Sequence, residues 1–260
     1  MTDAALTYST YLRVPELIDL QSPRSEEHDE LLFIIIHQTY ELWFKQLLHE
    51  FHHFNDRCDA GDLHQALATG GRIRTIIKTL VSQVDILETM TPLEFNTFRS
   101  RLDAASGFQS AQFREIEGLL GRRDRNFAAH LTTEQQASIE QITNSPAVWD
   151  HVLRLLAARG HAVPTDILGR DVSQPYSGDE RVVQMLASVY KRDAEAGLLL
   201  ERLLDIDEGL QEWRYRHVKM VERTIGKKPG TGGSDAAAGY LLKTLFRPVF
   251  PDLWDSRALL

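Results

Sequence analysis

The sequence has one cysteine, Cys58, among its 260 residues, so no internal disulfide can form. This favours a reducing compartment. The N-terminus lacks the basic-then-apolar layout of a signal peptide, and the longest apolar run, residues 31–36, is far too short to cross a bilayer. Basic residues are in deficit, with a formal net charge of −8, which argues against nucleic-acid binding. We therefore expect a cytoplasmic protein without nucleic-acid or membrane partners.

Strand signals are also scarce, because no alternating apolar run is bounded by an Asn-Gly or Asp-Gly turn. Helix start and stop signals dominate instead. The start signals predict a cap at Ser25 that opens a helix to about Asn55, capping boxes at Thr91–Glu94 and Thr132–Gln135, and a cap with proline at Ser145-Pro146. A helix is predicted to stop at Gly160. A further helical stretch is predicted over 179–225, kinked near 205–209 and ended by Gly226.

These signals predict one all-α domain over residues 25–260, a bundle of long antiparallel helices. Residues 1–24 are predicted to be an N-terminal arm. The arm carries Tyr8, Tyr11 and Leu12, apolar groups that need a packing partner.

One short pattern is typical of zinc proteases. His49-Glu-Phe-His-His53 matches H-E-x-x-H, in which two histidines on one helix face bind zinc and Glu50 acts as a base. The extended form with a third histidine is absent. A histidine-rich, solvated helix face is therefore the favoured interpretation, and a zinc hydrolase remains an alternative.

Two pairs of residues lie four apart, and each pair therefore shares a helix face. Phe33 and His37 belong to a strongly apolar stretch, where a histidine is either a satisfied core residue or a functional group. Phe95 and Arg99 form the second pair. Arginine can bind a carboxylate with two parallel hydrogen bonds, although a surface arginine is the commoner case.

His217 lies in a helical pattern with Met220 and Val221 on its own face. An apolar wall around one imidazole suits an axial ligand of haem, and it equally suits a core histidine. Beyond this helix, Gly230-Thr-Gly-Gly-Ser234 is neither a Walker loop nor a dinucleotide fingerprint. A lid over a ligand and a plain surface loop both remain open.

Together these signals resemble the tryptophan 2,3-dioxygenase family. The matching segments follow the family's order along the chain: residues 8–12, 28–38, 41–45, 98–99, 105–110, 213–217, 230–234 and 250–254. The resemblance implies haem b, ferrous in the active state, in a pocket between helices. It also implies insertion of both atoms of O2 into the indole C2–C3 bond of L-tryptophan, giving N-formylkynurenine in tryptophan catabolism by the kynurenine pathway.

The resemblance also implies roles for individual residues. His217 is similar to the axial ligand of the haem iron, and His37 to the catalytic histidine that faces the indole N–H. Phe33 and Phe95 would line the indole pocket, and Arg99 would clamp the substrate carboxylate.

Three loop residues are similar to further parts of the family's site. Ser106 and Gly107 would flank the haem and the bound oxygen, and Thr231 would meet the ammonium and carboxylate groups of the substrate. In the family, the residues that match Tyr8, Tyr11 and Leu12 come from a neighbouring subunit and close the indole pocket. The resemblance therefore implies a homotetramer with a shared site.

The chain departs from the family pattern after Gly-Thr-Gly-Gly-Ser, where Asp235-Ala-Ala-Ala-Gly239 replaces the usual Ser-Gly. Relatives exist that insert a single oxygen atom into a substituted tryptophan. The alternative function is therefore a haem mono-oxygenase of the same superfamily that acts on a substituted tryptophan in a biosynthetic pathway.

Overall fold

The computed structural model describes residues 6–102, 109–123, 131–226 and 245–260. Every regular element in these ranges is helical, which confirms the predicted all-α class. Within these ranges, no helix combines the length and the apolar character needed to cross a membrane.

The described helices vary from one turn to about nine turns, and three of them exceed twenty residues. They are α1 (Tyr8–Leu12), α2 (Val14–Leu17), α3 (His28–Asp59), α4 (Leu63–Leu87), α5 (Pro92–Phe98), α6 (Ala111–Leu119), α7 (Thr133–Thr143), α8 (Val148–Ala158), α9 (Thr165–Leu168), α10 (Glu180–Arg192), α11 (Ala194–Thr224) and α12 (Pro251–Ser256), with 3-10 turns at Arg99–Arg101 and Arg257–Leu259.

Helix α4 packs against both α3 and α11 and so forms the centre of the main core. Two glycines allow α4 and α11 to approach closely. A Cβ at Gly70 would come within 2.8 Å of Arg202 Cγ, and one at Gly209 within 3.0 Å of Ile77 Cγ2. Because Gly209 lies about two turns before His217, this close contact also determines where His217 stands relative to α4.

Several predicted helix boundaries are confirmed. Thr91 and Thr132 each cap their helix in a reciprocal capping box, α5 with Glu94 and α7 with Gln135. Gly160 follows α8 with φ of 91°, and Gly226 follows α11 with φ of 66°. Glycine adopts this left-handed conformation at little cost, and both helices end where the sequence predicted.

The predicted cap of α3 at Ser25 is wrong by two residues. Helix α3 begins at His28 with Glu27 as its N-cap, and it continues one turn beyond Asn55 to Asp59. The backbone N–H and the hydroxyl of Ser25 both donate to the buried carboxylate of Glu30. The serine side chain therefore binds a side chain of the helix rather than its orphan N–H groups.

The cap predicted at Ser145-Pro146 is also displaced. Helix α8 has Ala147 as its N-cap, and the carboxylate of Asp150 accepts a hydrogen bond from the Ala147 N–H at 2.8 Å. The Ser145 hydroxyl donates instead to the carbonyl of Gln141 in the preceding helix, at 2.8 Å. A capping side chain already used by the helix before it cannot cap the next one.

The single helix predicted over residues 179–225 is broken into α10 and α11 by Asp193. This residue has a non-helical backbone, with φ of −132° and ψ of 86°, and its carboxylate accepts a hydrogen bond from Ala196 N at 3.1 Å. The kink predicted at 205–209 lies inside the unbroken α11. Aspartate favours caps because its side chain replaces the missing intrahelical acceptor.

We expect Asp193→Asn to weaken the fold most near neutral pH. Two hydrogen bonds from Arg159, at 2.9 Å each, hold the pKa of the Asp193 carboxyl below its usual value. An acid with a lowered pKa stabilises the fold above its unfolded pKa of about 3.9, and that stabilisation is lost as pH falls through the folded pKa. In urea unfolding, the wild type should have a larger free energy of unfolding than the variant at about pH 7. This difference should shrink below about pH 4. Asp255→Asn, which changes an exposed carboxylate, serves as the control. A difference in the free energy of unfolding that does not depend on pH would contradict the stabilising role of the Asp193 carboxylate.

The buried carboxylate of Asp207 fastens the C-terminal segment to α11. It accepts hydrogen bonds from Val249 N at 2.8 Å, Phe250 N at 3.1 Å and Trp254 Nε1 at 2.9 Å. A buried carboxylate requires several such donors. The segment after residues 227–244 is therefore bound to α11, the helix that also carries His217.

The N-terminal arm lies on α3 at its base and is exposed at its tip. Gln38 donates to the Leu20 carbonyl at 3.2 Å, which holds the base of the arm. On α1, Tyr8 is 79% exposed and Tyr11 70%, and Leu12 is also exposed. The division into an arm of residues 1–24 and a domain of residues 25–260 stays a prediction.

Candidate functional site

Phe33 and His37 form one side of the candidate site on α3. Their ring centroids are 4.2 Å apart, as their spacing of one helical turn requires. The His37 Nδ1 atom lies 2.6 Å from the Phe33 carbonyl oxygen. A carbonyl can only accept, so Nδ1 carries the proton in this hydrogen bond, and Nε2 of the neutral ring keeps a free lone pair.

Helix α5 supplies an apolar wall next to Phe33. The ring centroid of Phe95 is 5.8 Å from that of Phe33, and the Phe98 centroid is 5.7 Å from it. Phe95 and Phe98 are both buried. Met220 and Ile225 from the end of α11 pack against the same cluster. Residues of three helices thus form one apolar surface beside His37.

Phe98 belongs to this wall. The sequence predicted no role for it, although residues 98–99 form one of the matching segments. Phe98 is fully buried and forms a T-shaped pair with Phe95, at 5.5 Å and 86°. The spacing of three residues from Phe95, on a helix already predicted from Thr91, was the signal that could have identified it.

Arg99 follows this wall directly, as the first residue of a 3-10 turn. Its backbone N–H donates to the carbonyl of Phe95, and its side chain is partly exposed. Arg99 and Phe95 are therefore one turn apart at the end of α5, with a cation beside the apolar cluster.

His217 lies on α11, where its ring stacks on that of Trp213 with centroids 5.3 Å apart and planes at 26°. Its Nδ1 atom is buried and has no hydrogen-bond partner among the described residues. Burial, and to a lesser extent the charge of His37, lowers the pKa of His217 to about 4. The imidazole is therefore neutral at physiological pH, which is the state that can bind a metal ion.

His37 and His217 have similar environments. Burial lowers the pKa of His37, although the Phe33 carbonyl and the Glu41 carboxylate act in the opposite direction. Both residues are half-buried. Phe33, which contacts His37, and Met220, one turn after His217, pack against the same apolar cluster. The two histidines therefore border one region between α3, α5 and α11, called the recess below.

The remaining predicted site residues either fall outside the described ranges or lie exposed on the N-terminal arm. Ser106, Gly107 and Thr231 lie outside the described residues. Tyr8, Tyr11 and Leu12 are exposed on α1 and belong to neither apolar cluster of the described chain.

The zinc-hydrolase alternative is wrong for the part of the chain that the structure describes. Glu50 is buried, and its carboxylate accepts hydrogen bonds from Arg72 at 3.1 Å and from Gln46 at 2.7 Å. His49 and His53 are exposed. Among the described residues no group of three potential ligands is close enough to hold a metal ion. The carboxylate of this pattern is a structural ion-pair partner.

Comparison with known proteins tests the resemblance over the whole chain. A family model described as tryptophan 2,3-dioxygenase matches residues 1–146 and 188–260. The tryptophan 2,3-dioxygenase of Anaeromyxobacter sp. (strain K) is 55% identical over 99% of this chain and 97% of its own. That of Herpetosiphon aurantiacus is 52% identical over 98% of both chains, and that of Caulobacter vibrioides is 43% identical over 98% of both. The resemblance is confirmed, and this chain belongs to the tryptophan 2,3-dioxygenase family.

Proposed function

We propose that this chain is a haem-dependent oxygenase that inserts both atoms of O2 into the indole C2–C3 bond of L-tryptophan, giving N-formylkynurenine. The observation that carries the proposal is the desolvated, neutral His217 on the same recess as His37, in a member of this family. Its buried Nδ1 atom has no hydrogen-bond partner in the described part of the chain. The name of the similar relatives supports the dioxygenase over the mono-oxygenase.

The residues of the recess fit a haem group. His217 would hold the iron, because its ring is neutral and desolvated. Ser106 and Gly107 are proposed to flank the group on the family pattern. When bound, the haem supplies the redox-active iron at which dioxygen reacts.

His37 is proposed to accept the indole N–H through Nε2. The hydrogen bond of Nδ1 with the Phe33 carbonyl leaves Nε2 without a proton, and the lowered pKa keeps the ring neutral. A neutral imidazole in this tautomer is both a hydrogen-bond acceptor and a base.

The apolar wall is proposed to hold the indole ring. Phe33, Phe95 and Phe98 offer aromatic faces and edges within 6 Å of one another, and they carry no polar group that would retain water. Excluding water strengthens the few polar contacts that orient the substrate.

Arg99 is proposed to bind the substrate carboxylate, with Thr231 near the carboxylate and the ammonium group. Arg99 lies one turn after Phe95, so an amino acid whose ring rests on the wall would place its carboxylate near this cation. A planar guanidinium matches a carboxylate through two parallel hydrogen bonds.

The exposed arm supports a shared site in a homotetramer, in which Tyr8, Tyr11 and Leu12 close the indole pocket of a neighbouring subunit. We expect deletion of residues 1–12 to lower activity strongly while the helical fold is kept, since residues 6–12 are all exposed. Steady-state kinetics and circular dichroism would measure both effects. The matched control is Leu93→Ala, which removes a single exposed apolar side chain elsewhere. Full activity in the truncated protein would contradict the shared site.

Product analysis tests the proposed reaction. The anaerobically reduced, haem-loaded protein is mixed with L-tryptophan and ¹⁸O-labelled dioxygen, and the product mass is determined. Two labelled atoms in N-formylkynurenine are expected. One labelled atom, or turnover only with a substituted tryptophan, would favour the mono-oxygenase.

A further inference from the structure

No hydrogen bond sets the orientation of the His217 ring within the described part of the chain, since its Nδ1 atom is buried and unpartnered. Metal-binding histidines generally donate the second ring N–H to a carboxylate or carbonyl, and that bond fixes the ring. Because Nδ1 is closed to solvent, water does not replace the acceptor. The orientation of this ring therefore depends on packing.

Trp213 provides that packing from one helical turn earlier on α11. The two ring centroids are 5.3 Å apart and the ring planes are inclined by 26°. Rotation of the imidazole about its Cβ–Cγ bond would drive its edge into the face of the indole. Contacts of this kind restrict a side chain to one torsion well in a closely packed interior.

Trp213 is itself held on several sides and is only 8% exposed. Its ring centroid lies 4.9 Å from that of Phe113, and it makes T-shaped contacts with Phe44 at 6.2 Å and Tyr40 at 6.3 Å. The Tyr40 hydroxyl donates to the Leu80 carbonyl at 2.9 Å, which ties this cluster to α4. The indole is thus a rigid surface against which His217 rests.

We propose that Trp213 is a positioning residue for His217, and that its indole fixes the plane of the imidazole that the proposed function assigns to the haem iron. The inference rests on that proposed function. Trp213 acts through His217 and is not itself a catalytic residue.

The test compares Trp213→Leu with Trp213→Phe in the full-length, haem-loaded protein. Resonance Raman spectra of the ferrous protein report the iron–histidine stretching band, and haem transfer to an acceptor protein reports haem affinity. The leucine variant should broaden and shift the band and weaken haem binding about tenfold or more, as for other residues that orient metal ligands. The phenylalanine variant should restore most of both properties, because it keeps an aromatic face. If the leucine variant does not fold, Trp213→Met removes the face while filling more space.

Phe113→Leu is the matched control, because Phe113 packs on Trp213 from within the same core. A wild-type band and wild-type haem affinity in Trp213→Leu would overturn the inference. So would a Phe113→Leu variant that changes the band as much as Trp213→Leu does. A wild-type protein without any iron–histidine band would instead contradict the proposed function, so the two failures are distinct.

Discussion

Replacement of His217 by alanine is expected to abolish stoichiometric haem binding. The imidazole of His217 is neutral and desolvated, and its removal would delete the proposed axial ligand. The measurement is the Soret absorbance per protein chain after reconstitution with haem. We expect less than about a tenth of the wild-type absorbance. Each tenfold fall in haem affinity corresponds to roughly 1.4 kcal/mol, and loss of the ligand should cost more than that.

The matched control for this variant is His49→Ala, which removes an exposed histidine from α3. It should keep the full Soret band. Circular dichroism distinguishes loss of haem from loss of fold, because α11 is also anchored by Asp207 and by its packing on α4. An unchanged Soret band in His217→Ala would rule out the ligand assignment.

Replacement of Arg99 by alanine is expected to weaken L-tryptophan binding by about 2–3 kcal/mol, the cost of leaving a desolvated charged group without its partner. This corresponds to roughly a 30- to 150-fold rise in Kd. Binding is measured by titrating the ferrous protein with tryptophan and following the Soret band. Arg99→Lys should recover only part of the loss, because lysine keeps the charge without the planar fork.

Two comparisons test the origin of this loss. Arg101→Ala removes an exposed arginine from the same 3-10 turn and should leave the affinity unchanged. Tryptamine lacks the carboxylate, so it should bind the wild type and Arg99→Ala almost equally, as a double-mutant cycle requires when the interacting group is missing. A similar loss for tryptamine and tryptophan would show that Arg99 acts elsewhere than on the carboxylate.

Local signals in the sequence predicted helix ends well where the interacting groups lie within one turn and have no competitor. The capping boxes at Thr91 and Thr132 are of this kind. The caps expected at Ser25 and Ser145 failed because other groups bind these serines. The hydroxyl of Ser25 meets Glu30 inside α3, and that of Ser145 donates back into α7.

In the site, too, contacts within one helix were predictable from the sequence, and contacts between helices were not. The contact of Phe33 with His37 follows from a spacing of four residues on one helix. The H-E-x-x-H pattern also has a correct spacing, but Glu50 pairs with Arg72 on α4. A partner on another helix is invisible to a spacing argument, and here it turned a zinc pattern into an ion pair of the bundle.

The sequence by itself determined the all-α class, the residues that share each helix face and membership of the family. These properties depend on interactions within a few turns and on motifs that can be compared position by position. Only the tertiary structure decided that Phe33, His37, Phe95 and the end of α11 meet at one apolar recess, and that His217 lies there with a lowered pKa and a buried, unpartnered Nδ1. Burial and desolvation depend on which helices pack against one another, and that packing is set by contacts between residues far apart in the chain.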